Sequence, residues 1–397
     1  MINVAIFGFG VVGGGTAEVL TQNAKLISER VGDEINIKYI LDLRDFPDSP
    51  FAHKIVHDVN VILNDPEVKI CAELMGGAHP AFEFSSAAMR AGKSVVTSNK
   101  EVVATFGPEL LAIAKENGVR YLFEASVGGG IPVIHPMSSC LTANDIGEVN
   151  GILNGTTNYI LTQMINENKD FGTALAEAQE KGYAERDPSA DVDGIDTCRK
   201  IAILSAIAFG KLVPPEKIHT EGIRGVTLRD VANAAKFGAS IKLIGKAIRV
   251  DGKICACVGP TLVRHTNPLS GINDVFNGVL INGNAVDDVM FYGRGAGKLP
   301  TASAVVSDII EIATYISHPM HSVNVWERLG DDEILPADRL KSRWYLRFDK
   351  KPNHCLCMLD AEVVEDSEDS YAVITGEVSL AEIGITLSEP FVAMRVL

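Results

Sequence analysis

The sequence lacks the features that mark several protein classes. It holds no run suited to a membrane span: the 18 uncharged residues from Val127 to Asn144 carry glycines, prolines and a histidine, whereas a spanning helix needs about 20 predominantly apolar residues. The opening INVAIFGFG reads as a strand with no basic leader or cleavage site before it, so cytoplasm is the expected location. Basic residues are outnumbered, 36 against 51 acidic ones for a net charge of −15. That balance disfavours nonspecific binding to nucleic acid or anionic membrane and leaves small molecules as the expected partners. Seven cysteines form an odd count without framework spacing, which argues against disulfides. Cys255 and Cys257, like Cys355 and Cys357, sit two apart and so share one face of a strand. They read as buried packing, because a zinc site needs four ligands and no His-rich segment accompanies them; His318 and His321 read the same way. No internal repeat is evident.

What is present is enough apolar content, 46% of 397 residues, for more than one core. The first 130 residues alternate short apolar segments with helical patterns: INVAIFGFG, a helix from about Val11 to Arg30, then INIKYIL, DVNVIL, KICAELMG, KSVVTS and RYLFEA as strands. This alternation predicts a parallel, doubly wound α/β sheet. After VGGGIPVIHP the character changes to an α+β pattern: GEVNGIL, a helix from about Thr157, a long helix ending near Gly210, and strands near SIKLIGKAIRV and ICACVGPTLV. GRGAGKLPTASAVV reads as a glycine turn opening another helix.

Gly8-Phe9-Gly10-Val11-Val12-Gly13 follows a strand and opens a helix, the context a dinucleotide fingerprint requires. The first glycine permits the turn, the second lets a pyrophosphate approach the backbone, and the third lets helix pack on strand. After the second strand, Asp42 suits a ribose 2′-hydroxyl and Arg44 a 2′-phosphate. NAD is thereby favoured over NADP without being settled. At two further strand ends, Met75-Gly76-Gly77 allows close backbone approach, and Thr97-Ser98-Asn99-Lys100 supplies a hydroxyl, an amide and an amine.

Residues 182–200, GYAERDPSADVDGIDTCRK, place five acids between a tyrosine and a lysine. Helical spacing puts Asp196, Lys200, Ile203 and Ile207 on one face, so the charged pair continues an apolar stripe. A desolvated lysine can carry a proton because burial lowers its pKa, while Asp196 opposes that shift. Upstream, Asn154-Gly155-Thr156-Thr157-Asn158 turns a strand into a helix and exposes donors suited to a carboxylate. The acids at 185, 191 and 196 suit an ammonium group. A site with both describes an amino acid substrate.

Through GFGVVGGG, TSNK, EASVGGGIP, ILNGTTNYIL, GYAERDPSADVDGIDTCRK and GRGAGKLPTASAVV, the chain resembles the homoserine dehydrogenase family over roughly residues 1 to 320. The resemblance implies reversible oxidation of L-homoserine to L-aspartate 4-semialdehyde with NAD or NADP, a step toward threonine and methionine. It implies catalytic roles for Lys200, Lys100 and Asp196, and a substrate pocket of Gly155, Thr156, Tyr183, Glu185, Asp191 and Asp196. The cofactor set it implies extends from Gly8, Phe9, Gly10, Val11, Val12 and Gly13 through Asp42 and Arg44 to Gly76, Ser98, Asn99, Lys100 and Gly297. It further implies a monovalent cation, sodium or potassium, at Glu124, Val127, Gly129 and Ile131. Ala190 stands where an acid often adjoins the matching aspartate.

In domain terms the resemblance implies a Rossmann-type nucleotide domain over 1–132 and 298–320, a catalytic and dimerisation domain over 133–297, and a homodimer or dimer-based tetramer. RWYLRFDKKP resembles the opening of an ACT regulatory module, but residues 340–397 are short and show no expected helix pattern. A phosphorylating semialdehyde dehydrogenase would instead need a nucleophilic cysteine, Cys140 or Cys198, and a nucleotide sensor would need only the glycine turn.

Overall fold

The structure, a computed structural model, describes residues 1–316, 325–352 and 356–397. His318, His321 and Cys355 lie outside the described residues, as does the side chain of Cys357. The chain divides into two units, Met1–Ala143 with Gly210–Leu212 and Arg294–Arg328, and Asn144–Phe209 with Val213–Gly293 and Leu329–Leu397.

The first unit is built from β1 (Ile2–Phe7), α1 (Val11–Gln22), α2 (Ala24–Val31), β2 (Ile35–Leu41), β3 (Ile55–Val56), β4 (Val68–Glu73), β5 (Ser94–Thr97), α3 (Lys100–Glu116) and β6 (Tyr121–Leu122). The six strands run parallel in the order β3-β2-β1-β4-β5-β6. In this doubly wound order the winding reverses between β1 and β4, and ligands bind beyond the carboxyl ends of the strands there. Helices cover both faces of such a sheet, so its central strands are largely buried; all six residues of β1 are buried. Val305, Ile309 and Ile312 of the Lys298–Thr314 helix enter the same core as Val4, Ile6, Ile40, Ile70 and Val96. Each such side chain contributes about 1.5–3 kcal/mol on full burial.

Two local expectations are corrected. The helix read over 11–30 is two helices that part at Asn23, whose φ of −102° and ψ of 13° leave the helical region; asparagine competes locally with helical hydrogen bonding. DVNVIL is a short helix over Val59–Leu63 rather than a strand, because Asp58 accepts from Asn60 N–H and caps it. The edge strand forms at Ile55–Val56 instead.

The second unit contains β7 (Ile146–Ile152), α4 (Gly155–Glu167), α5 (Ile195–Phe209), α6 (Leu228–Lys236), β8 (Ala239–Val250), β9 (Lys253–Arg264), β10 (Phe276–Gly283), β11 (Asp287–Arg294), β12 (Arg343–Phe348), β13 (Glu362–Ser367), β14 (Ser370–Ile374), α7 (Leu380–Thr386) and β15 (Val392–Val396). They form one mixed sheet in the order β11-β10-β7-β8-β9-β15-β12-β14-β13, with His219–Thr220 also paired to β9. α5 lies directly on β8: a Cβ at Gly245 would stand 3.0 Å from Thr197 and 3.2 Å from Ile201.

The C-terminal strands β12 to β15 take the spatial order β15-β12-β14-β13, a split β-α-β arrangement in which a 3-10 turn over Leu356–Leu359 precedes β13. The sequence shows no helix pattern here because α7 has only seven residues, too few to display a 3.6-residue period. Its start is marked by a capping box between Ser379 and Glu382. The buried Asp230 of α6 accepts from Arg347 Nε at 2.6 Å and Tyr345 Oη at 2.9 Å, which ties α6 to β12. Among the described residues no helix is long and apolar enough to cross a membrane.

Candidate active site

At the β1–α1 turn, Gly8 adopts a left-handed φ of +91°, which favours glycine. A Cβ on Gly13 would lie 2.0 Å from the Gly8 carbonyl oxygen, so α1 can approach β1 only through a glycine there. At Gly10 a Cβ would meet nothing within 4 Å: the backbone faces open space at the helix N-terminus, where free N–H groups favour phosphate. A dinucleotide pyrophosphate fits this cradle. Val11, at the helix start, is exposed, Val12 packs against the core, and Phe9 is half-buried with its ring against Phe46 at 5.0 Å.

Asp42, just past β2, turns back onto this cradle. Its Oδ2 accepts from Phe9 N–H at 2.8 Å, and both oxygens accept from the Arg44 guanidinium at 3.0 Å. The Arg44 guanidinium holds the Asp42 carboxyl well below the usual carboxylate range, against the opposing effect of burial. At the switch point, Leu74 N–H donates to Phe7 carbonyl, and a Cβ at Gly8 would stand 2.9 Å from Met75. Gly76 therefore follows a segment packed on the fingerprint. Ser98 is half-buried, Asn99 caps α3 and Lys100 is its first residue. Gly297, at φ +129°, precedes the Lys298–Thr314 helix.

The loop at 124–131 is equally constrained. Gly129 has φ +58°, and a Cβ there would lie 2.3 Å from Gly295 carbonyl oxygen. Glu124 is buried, and its carboxylate accepts from the N–H groups of Val133 at 2.7 Å, Ile134 at 2.9 Å and His135 at 2.6 Å. Its own N–H donates to the buried Asp308 at 2.9 Å. Val127 and Ile131 are buried beside it in sequence.

In the second unit the acidic stretch separates into distinct roles. Asp187 caps the turn at Ser189, and Asp193 pairs with Arg224. Glu185 and Tyr183 are exposed, with the Tyr183 ring against Tyr159 at 5.0 Å and its carbonyl accepting from Thr156 Oγ1 at 2.6 Å. Asp191 and Asp196 converge instead. Asn154, the last residue before α4, donates through one amide nitrogen to Asp191 at 2.7 Å and to Asp196 at 2.9 Å. Lys200, buried one turn along α5, donates to Asp196 at 2.7 Å and to the Leu153 carbonyl at 2.7 Å. Gly155 must be glycine because a Cβ would stand 2.7 Å from Val275 carbonyl oxygen. The strand-to-helix turn thus delivers one amide and one carbonyl to the lysine and the acids.

The homoserine dehydrogenase family model matches residues 132–310, and the model of the homoserine dehydrogenase NAD-binding domain matches residues 8–124. The homoserine dehydrogenase of Synechocystis sp. is 41% identical over 359 residues, which cover 87% of this chain and 82% of that protein. This chain belongs to the homoserine dehydrogenase family. A similar relative in Pseudomonas aeruginosa is 41% identical over 356 residues, covering 88% of this chain and 82% of that one. The crystal structure of a homoserine dehydrogenase from Thiobacillus denitrificans superposes with a TM-score of 0.92 at 35% identity, over 100% of this chain and 98% of that one. A hyperthermophilic archaeal homoserine dehydrogenase in complex with NADPH superposes at 0.68 with 30% identity, over 80% of this chain and 98% of its own.

Membership of this NAD(P)-dependent oxidoreductase family leaves little room for a cysteine nucleophile. Cys198 is buried, and burial pushes its thiol up, the opposite of what activation requires; Cys140 is exposed. Cys255 and Cys257 are buried, and no group of three or more potential metal ligands occurs among the described residues. Two residues escaped the sequence reading. Asn154 is named there only as part of a turn, although an amide preceding Gly-Thr-Thr at a strand end is a visible signal. Glu73, buried at the end of β4, reads as an ordinary strand terminus.

Proposed function

We propose that the chain catalyses the reversible oxidation of L-homoserine to L-aspartate 4-semialdehyde with a nicotinamide cofactor, on the route to threonine and methionine in the cytoplasm. The observation that carries the reading is the buried Lys200, fixed between Asp196 and the Leu153 carbonyl. Asp191 and Asp196 give the substrate ammonium an anionic seat, with Tyr183 and Glu185 at its exposed margin and Gly155 and Thr156 at the α4 start facing a carboxylate. Lys200 accepts the hydroxyl proton in oxidation and returns it in reduction. The nicotinamide, when bound, accepts or returns the hydride. Lys100 is the rival proton carrier.

For the cofactor, the Gly8–Gly13 turn holds the pyrophosphate, and Gly76, Ser98, Asn99 and Gly297 border the nucleotide. Asp42 favours NAD, because its carboxylate would repel a 2′-phosphate and because Arg44 is already engaged with it. Glu124 with the carbonyls of Val127, Gly129 and Ile131 is the seat for sodium or potassium. The three N–H bonds on Glu124 leave the carbonyls as the main ligands, a donor set suited to a hard cation. A homodimer, or a dimer-based tetramer, belongs to the same reading; the second unit's sheet carries a cavity of about 830 Å³ bordered by Ile244, Cys257, Thr261 and Trp344. There the Asn150 side-chain oxygen is buried with no partner among the described residues.

The test is initial-rate absorbance at 340 nm with L-homoserine, supplying NAD and NADP separately, on wild type, Lys200→Ala and Lys100→Ala. Loss of general acid–base assistance lowers kcat by about 10²–10⁴ in Lys200→Ala, with cofactor affinity retained. Full turnover in that variant removes the assignment, and the preferred cofactor decides between Asp42 and Arg44 as the discriminating group.

A further inference from the structure

Glu73 is fully buried at the carboxyl end of β4, in the strand next to β1 at the point where the winding reverses. Its two oxygens serve two different segments. One accepts from Met75 N–H at 2.8 Å, and the other from Thr97 Oγ1 at 2.6 Å. Thr97 Oγ1 in turn accepts from Asn99 N–H at 2.9 Å, and Asn99 Nδ2 donates to the Gly77 carbonyl at 2.6 Å. Asn99 Oδ1 caps α3 through Glu101 and Val102 N–H at 3.2 Å. The result is a closed ring, Glu73 to Thr97 to Asn99 to Gly77 and back through Met75. It joins the 75–77 segment, which packs on Gly8, to the 97–100 segment, which presents Ser98 and Lys100.

A strand residue with no access to water is an expensive place for a carboxyl group unless its oxygens are used. An apolar residue or a glutamine would fill the volume. Glutamine offers one acceptor, whereas Met75 N–H and Thr97 O–H are two donors aimed at two oxygens. The arrangement therefore selects a carboxylate for its pair of acceptors.

We propose that Glu73 is a positioning residue for the cofactor, which sets the spacing between the Met75–Gly77 segment and the Ser98–Lys100 turn and does so best when ionised. This rests on the assignment of Gly76, Ser98, Asn99 and Lys100 to cofactor binding. Burial pushes the Glu73 carboxyl up to about 7, with the bonds from Thr97, Met75 and Asn99 pulling the other way. Around it, β1 contributes the apolar Phe7 as its register partner, and β6 contributes the buried Tyr121, whose phenol burial holds well above its usual range. The first turn of α3 brings Lys100 and Glu101. Protonation removes the negative charge shared by the two oxygens, each of which takes one donor, and the clamp weakens.

The experiment measures the dissociation constant of NADH, whose pyrophosphate does not titrate near neutrality, by fluorescence between pH 5.5 and 8.5, with NADPH as a parallel arm. Wild type, Glu73→Gln, Thr97→Val and Lys100→Ala are compared, each checked for an intact melting transition. Wild-type affinity is expected to fall by about three- to tenfold as pH drops through 7, the worth of one hydrogen bond. Glu73→Gln is expected to bind weakly at every pH, with that pH dependence abolished. Thr97→Val, which removes only the hydroxyl, is expected to weaken binding while keeping part of the pH response through Met75. A Glu73→Gln protein with the affinity and pH profile of wild type overturns the proposal. If Lys100→Ala weakens NADH binding while both clamp variants behave as wild type, the cofactor site stands and the clamp alone fails. If Lys100→Ala binds NADH as wild type does, the underlying assignment is the part that fails.

Discussion

Lys200 Nζ lies 2.7 Å from Asp196 Oδ2, and that same oxygen accepts from Asn154 Nδ2 at 2.9 Å. One carboxylate oxygen is therefore addressed by a cation one helical turn along α5 and by an amide from the end of β7. Asp196 favours the ammonium form of Lys200, and burial opposes it. Those opposed influences suit the proton-transfer role proposed for Lys200. Asn154 extends the arrangement to Asp191, holding two like charges close together by sharing one donor between them.

The first prediction separates the two jobs of Asn154. Its side-chain oxygen caps α4 by accepting from Thr157 N–H at 2.9 Å, while its nitrogen bridges Asp191 and Asp196. Asn154→Ala loses both and costs about 1 kcal/mol of stability for the cap. Asn154→Ser keeps a capping oxygen but cannot reach the acids with a donor. Its melting temperature is expected to stay near wild type, while KM for homoserine rises by about tenfold, the worth of a hydrogen bond to a charged group. Equal KM values in Asn154→Ser and wild type would show that the amide bridge does not order the acids.

How much of this was legible in the sequence depends on whether the signal is local. The Gly8–Gly13 turn could be read because its three glycines answer three separate steric demands within six residues. The buried face of Asp196 and Lys200 could be read because helical periodicity is also local. Asn154 and Glu73 are not legible in this way, since each acts through partners 24 to 42 residues away in the chain. α7 was missed for the opposite reason: it is too short for periodicity, and only its Ser379–Glu382 box announces it. DVNVIL misled because its β-branched residues outweighed a single capping aspartate.

The second prediction uses the different surroundings of two fingerprint glycines. Gly13→Ala drives a Cβ to within 2.0 Å of the Gly8 carbonyl oxygen, so helix and strand must move apart. Overpacking of this kind costs about 1–3 kcal/mol or more and lowers the melting temperature without any ligand present. Gly10→Ala meets no protein atom within 4 Å and sits at an ordinary φ of −81°, so the apo-protein should melt as wild type does. Its cofactor affinity is expected to fall by more than about tenfold, because the methyl group occupies phosphate space and displaces a hydrogen bond to a charged group. Calorimetry of the apo-proteins together with cofactor titration distinguishes the two. Normal cofactor binding by Gly10→Ala would place the pyrophosphate elsewhere.

The third prediction concerns Asp308, buried on the Lys298–Thr314 helix where it accepts from Glu124 N–H at 2.9 Å. Burial pushes its carboxyl well above the usual range, and the charge of Glu124 adds to the shift. In the unfolded chain the same group releases its proton near pH 4. Between that value and the raised folded value the native state binds the extra proton, so stability falls as pH rises through the window. Each unit of displacement is worth about 1.4 kcal/mol. Asp308→Asn keeps an acceptor for Glu124 N–H and carries no proton to lose. It is expected to melt higher than wild type at pH 7, by about 2–4 °C for each kcal/mol recovered in a unit of this size, and to show a flatter dependence of melting temperature on pH between 5 and 8. Should Asp308→Asn instead melt lower at pH 7 and keep the wild-type slope, the carboxylate must be charged in the native protein, and the Glu124 loop must owe its position to that charge rather than to a neutral hydrogen bond.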